Sequence, residues 1–133
     1  MSISRSASVA LFLSALILAI TTGCNKSSSE TDPALELYHI RYSAYAATPT
    51  DTINVAYRNP DGSSSRVKRV FPDGKFEVTV GPVIPGFEAL IVSSLSIGGQ
   101  SPTLCIETKK GAEPFVMKAR REDAITLKYI VGF

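Results

Sequence analysis

The chain has 133 residues, 44% of them apolar and 20% charged, with 14 Lys and Arg against 12 Asp and Glu. That is one domain's worth of chain, too apolar to be disordered throughout, and a net charge of +2 lacks the concentrated basic footprint of a nucleic-acid binder. Two Cys and one His fall short of the four ligands that a structural zinc site wants.

Residues 1–24 read MSISRSASVALFLSALILAITTGC, with Arg5 as the single charge. The apolar centre Val9–Ile20 is shorter than the ~20 residues needed to cross a bilayer, and its length suits the core of a cleaved signal peptide. The run ends in Ile20-Thr21-Thr22-Gly23-Cys24, which resembles the lipobox of bacterial lipoproteins. Small residues before Cys let backbone and sulfur fit the lipidating and cleaving enzymes. The resemblance implies cleavage before Cys24, diacylation of its sulfur and a third chain on its amine, and two or more chains give stable anchoring. The other readings are an uncut signal anchor and a plain secretory signal with a coincidental Cys.

The expected organisation is a signal peptide over 1–23, lipidated Cys24 with a flexible tether through 34, and a folded domain over 35–133. Loss of Arg5 leaves 13 basic and 12 acidic side chains, a net of +1. Asn25–Ala34 (NKSSSETDPA) is almost devoid of apolar side chains and reaches on the order of 17 Å as a random coil. With Cys24 acylated, Cys105 has no disulfide partner within the chain, and it reads as a packed small hydrophobe.

Period-two alternation dominates the rest. Tyr38, Ile40 and Tyr42 alternate with His39 and Arg41. Ile53, Val55 and Tyr57 follow, and the turn Asn59-Pro60-Asp61-Gly62 joins them to Ser64–Val70 as a hairpin. Pro72-Asp73-Gly74 precedes Phe76, Val78 and Val80. The stretch Gly81–Gly86 carries two prolines that lack ladder donors, so it reads as a crossover or an end loop. Phe87–Val92 is apolar at nearly every position and predicts a central strand covered on both sides. Gly98-Gly99 and Lys110-Gly111 mark further turns. Leu104 and Ile106, then Phe115 and Met117, then Ile125, Leu127 and Tyr129 complete the series, each with one face expected in the core. About eight short strands at this spacing predict an all-β chain, an immunoglobulin-like β-sandwich at the level of architecture.

The order of these segments resembles small envelope proteins of the MmpS type and short lipoproteins of the Bacteroidetes type. Tyr38-His39-Ile40-Arg41-Tyr42, Ile53–Tyr57 running into Asn59–Gly62, Phe71-Pro72, Ala89–Val92 and Leu104–Gly111 carry the likeness, over roughly residues 37–111. It implies an extracytoplasmic β-sandwich that serves as an accessory of a transporter or envelope complex, and it carries over no catalytic residues.

No catalytic constellation, metal site or cofactor site is expected. His39 alternates with core residues and should face solvent. Asp51, Asp61, Asp73 and Glu122-Asp123 fall at turns, where carboxylates bond the local backbone. No D-x-D-x-D calcium loop and no Gly-rich phosphate loop occurs. Basic residues cluster at Arg66, Lys68 and Arg69 and at Lys118, Arg120 and Arg121. They read as solvated strand faces that discourage edge pairing, with anionic lipid headgroups or a polyanionic glycan as the functional alternative. Most Tyr take core-facing registers, and Tyr45 is the exception. Val83-Ile84 reads as a plug at the end of the sandwich, or else as an apolar contact patch. The function expected is that of a non-enzymatic, lipid-anchored component on the periplasmic face or cell surface, held in the membrane through Cys24 and binding an envelope protein. A surface module for glycan or host contact is the alternative.

Overall fold

The computed structural model describes residues 34–94 and 99–133. The signal peptide, Cys24, Gly98 and all but the last residue of the tether lie outside them. Leu35–Phe133 forms a compact unit. Its eight strands are β1 (Tyr38–Tyr45), β2 (Thr52–Arg58), β3 (Ser64–Val70), β4 (Lys75–Val83), β5 (Glu88–Ser93), β6 (Thr103–Lys110), β7 (Val116–Arg121) and β8 (Thr126–Ile130). All pairings are antiparallel, in two four-stranded sheets ordered β4-β1-β6-β7 and β3-β2-β5-β8. The chain is all-β among the described residues, and the sheets face each other as a sandwich.

The alternation read from the sequence explains the core. Ile40, Tyr42 and Ala44 of β1, with Leu104 and Ile106 of β6, face Ile53 and Val55 of β2 and Ala89 and Ile91 of β5, all buried. Phe71 closes one end and meets Phe76 in a tilted contact, with ring centroids 5.7 Å apart. The hairpin at Asn59–Gly62 forms as its residues dictate. Gly62 takes φ 88°, and Asp61 accepts hydrogen bonds from the backbone N–H and hydroxyl of Ser63.

Four expectations need correction. The strand before the two prolines does not stop at Val80 but runs to Val83, with Gly81 and Pro82 inside it. Because β4 is an edge strand, Pro82 can belong to it without breaking a ladder on both sides. Only Ile84–Phe87 crosses between sheets, and the apolar pair there divides: Val83 is buried and Ile84 is half exposed. Central strand β5 is covered on one side only, because Leu90 and Val92 lie on the outer face of their sheet and are partly exposed. Phe115 and Met117 also look outward. A register shift between Ile106 and Glu107 leaves Ala119 as the β7 residue packed against the core.

Candidate functional site

His39 does not face open solvent. It sits at the irregular step in the β1–β4 register, half buried, with Nδ1 enclosed and without a hydrogen-bond partner. Its ring packs over Gly81, where a Cβ would lie 2.8 Å from Cδ2. Asp51, Asp61 and Asp73 accept nearby backbone N–H groups, from Thr48, Ser63 and Lys75 respectively. Asp123 instead accepts from the more distant Ser101 backbone, at 2.9 Å, and Glu122 pairs with Arg120. These carboxylates are therefore engaged in holding turns and strand ends.

The two basic clusters belong to different sheets. Arg66, Lys68 and Arg69 lie on β3, and Lys118, Arg120 and Arg121 lie on β7, each strand an edge of its own sheet. The fold does not merge them. Arg69 shares the inward register of Val67, and its guanidinium carbon lies 4.4 Å from the centroid of the Phe71 ring.

On the outer face of the β4-β1-β6-β7 sheet, Arg41 and Lys75 each have a carboxylate partner within the face, while Lys109 has none among the described residues. Arg41 Nε donates to Glu107 Oε2 at 2.6 Å, and Nη2 donates to Oε1 at 3.0 Å. This forked bond raises the Arg41 pKa further above its already high value. The same guanidinium covers the Phe115 ring at 4.2 Å, and Lys109 Nζ approaches that ring at 5.2 Å. Lys75 pairs with Glu77 at 2.9 Å and lies over Tyr45. Beneath these side chains, cross-strand neighbours Ser43 and Cys105 are almost fully buried. Burial pushes the Cys105 thiol pKa up, as befits the packed small hydrophobe expected from sequence. Ser43 Oγ has no hydrogen-bond partner.

No family model, curated protein or solved structure matches this chain. Its surfaces must therefore speak through their own chemistry.

The outer face of the β3-β2-β5-β8 sheet differs in kind. Strand register sets Arg66, Ala56, Val92 and Thr126 in one row across it, and Leu90 beside Lys128 in the next. Lys68 lies opposite Asn54 and Val70 opposite Thr52. Arg58 Nη1 donates to Glu88 Oε1 at 2.9 Å and to its carbonyl at 3.3 Å. Among the described residues, Arg66, Lys68 and Lys128 have no ion-pair partner. The result is a partly exposed apolar centre framed by cations. Sequence clustering pointed to Arg66 and Lys68 but not to Arg58 and Lys128, which only the strand order brings to the same face. Their outward register, after Tyr57 and between Leu127 and Tyr129, was the available signal.

A second surface lies on the β7–β8 side. Tyr38, Lys118, Tyr129 and Phe133 border an open hollow of about 210 Å³ backed by buried Thr108. An adjoining hollow of about 190 Å³ shares Tyr38, Thr108 and Lys118 and adds Lys109 and Lys110. Glu36 accepts hydrogen bonds from Lys110 and Tyr38, which hold its carboxyl below the usual range. Tyr38 and Tyr129, read from sequence as core-facing, each pack one side of the ring on the core and present another to these hollows.

Proposed function

We propose that this chain is a lipid-anchored, non-enzymatic component of the cell envelope that binds another envelope constituent, as an accessory of a transport or envelope complex. The observation that carries the reading is Gly23-Cys24 at the end of an uncharged apolar run, followed by a polar spacer that leads into a β domain. The acyl chains on Cys24 hold the protein outside the cytoplasm, on the periplasmic face or the cell surface. The sandwich then presents its outer faces as binding surfaces. An immunoglobulin-like architecture and a likeness to MmpS-type envelope proteins go with this reading. Two facing antiparallel layers of four strands support it at the level of architecture.

The test is direct. Globomycin treatment, or a Cys24→Ala substitution, is expected to shift electrophoretic mobility and release the protein from membranes. Unchanged mobility and membrane association overturn the anchor.

A second reading, a glycan- or host-contact module, draws on the hollow bordered by Tyr38, Tyr129 and Lys118. Aromatic rings beside a cation and a hydroxyl suit an acidic sugar. Binding to acidic glycans on an array, abolished by Tyr129→Ala, supports this reading. A blank array together with an envelope protein recovered by crosslinking in intact cells supports the first.

A further inference from the structure

We infer that the outer face of the β3-β2-β5-β8 sheet docks on an anionic phospholipid surface. The inference rests on the anchored reading above and names the partner of this face. The four strands together carry Arg58, Arg66, Lys68, Arg69 and Lys128 against a single carboxylate, Glu88. Glu88 is taken by Arg58, and Arg69 turns inward over Phe71. Arg66, Lys68 and Lys128 are left pointing outward, spread across the sheet from one edge strand to the other.

Charge alone would suit any polyanion, but the apolar side chains on the same face narrow the choice. Leu90 and Val92 lie between the cations and are partly exposed, while Val70 is 52% and Ile130 40% exposed. A hydrated anionic polymer offers nothing to these side chains. The boundary between headgroups and acyl chains takes both, with phosphates meeting the cations and the apolar groups entering the hydrocarbon margin. The opposite outer face differs in degree, because its Arg41, Lys75 and Arg120 have carboxylate partners and only Lys109, which lies over the Phe115 ring, is a cation of that face without one among the described residues. Chain length permits the contact as well. Cys24 precedes Tyr38 by 14 positions, enough at ~3.3 Å per residue to let the sheet lie flat beside its own anchor.

The experiment uses the full lipidated chain in phosphatidylcholine vesicles with and without phosphatidylglycerol. An environment-sensitive fluorophore is placed at Thr126→Cys, on the proposed face, or at Thr79→Cys, on the opposite one. Acyl-chain quenchers are expected to quench the Thr126 label several-fold more than the Thr79 label in anionic vesicles, and high salt should remove the difference. In a Lys68→Gln/Lys128→Gln background the fraction of quenched Thr126 label should fall, with the docking equilibrium weakened about fivefold per charge removed. Equal quenching of the two labels, or Thr126 quenching indifferent to phosphatidylglycerol and to the two Lys changes, overturns the proposal. So does shielding of the Thr126 label by dextran sulfate but not by vesicles. The mass of the Cys24 peptide is measured on the same sample. A bare sulfur overturns the anchor without altering the comparison of the two labels, so the two ideas fail separately.

Discussion

The Tyr42 hydroxyl, at the centre of one sheet, donates to the carbonyl oxygen of Arg58 in the other, 3.1 Å away. The Tyr42 hydroxyl oxygen in turn accepts the backbone N–H of Leu90 at 3.3 Å. One buried side chain thus ties β1 to both β2 and β5 across the core. Tyr42→Phe is expected to cost about 1–2 kcal/mol in urea unfolding, since it leaves a ladder-end donor and acceptor unpaired.

Burial also pushes the Tyr42 pKa from 10.0 up to about 12. The unfolded chain therefore loses this proton first, and between pH 10 and 12 the folded state holds more protons. The corresponding stability is complete below pH 10 and is lost as pH rises through 12, on the order of 3 kcal/mol. In alkaline titrations followed by circular dichroism, Tyr42→Phe should start less stable and decline less steeply over this range.

Arg41 and Glu107 form a forked pair whose side chains are 28% and 18% exposed. A double-mutant cycle with Arg41→Gln and Glu107→Gln should give a coupling of about 1 kcal/mol, reduced in high salt. Phe115→Ala should lower that coupling, because the ring under the guanidinium helps to fix its orientation.

Gly81 has φ +141°, and a Cβ there would meet the His39 ring at 2.8 Å and the Tyr38 carbonyl oxygen at 3.0 Å. Gly81→Ala is expected to destabilise by about 2–3 kcal/mol in thermal unfolding. Adding His39→Ala should recover less than half of that loss, since the carbonyl and the His39 Cα remain in the way.

Cys105 is almost fully buried under charged side chains, with its thiol pKa raised. Thiol reagents at neutral pH should modify the native protein at least about a hundredfold more slowly than the urea-unfolded protein. A native rate near the unfolded one would mean that the Arg41–Glu107 face opens readily.

The strands were legible because alternation is a property of neighbours in sequence. Ile53, Val55 and Tyr57 sort to one side of a strand whatever that strand pairs with, and Asn59–Gly62 makes its hairpin locally. Period two does not say which side of a sheet is covered. Leu90 and Val92 therefore looked like core, and Pro82 looked like a strand breaker until β4 proved to be an edge. The enclosure of His39 depends on Gly81, a residue 42 positions away. The cationic face was half legible: Arg66 and Lys68 announce themselves as a cluster, but Lys128 joins them only through the order β3-β2-β5-β8. Cys24, the residue on which the anchor depends, lies outside the described residues.

The pairing of β1 with β6 encloses the pairing of β2 with β5, so Tyr42 must find Ile106, 64 positions later in the chain. Loops of that length close slowly, and mean contact separation governs the rate at which β domains fold. The first strand to leave the ribosome has neither of its partners until β4 and then β6 are made. The β2–β3 hairpin can close as soon as its own residues are made, whereas the β4-β1-β6-β7 sheet is complete only once β7 has been added.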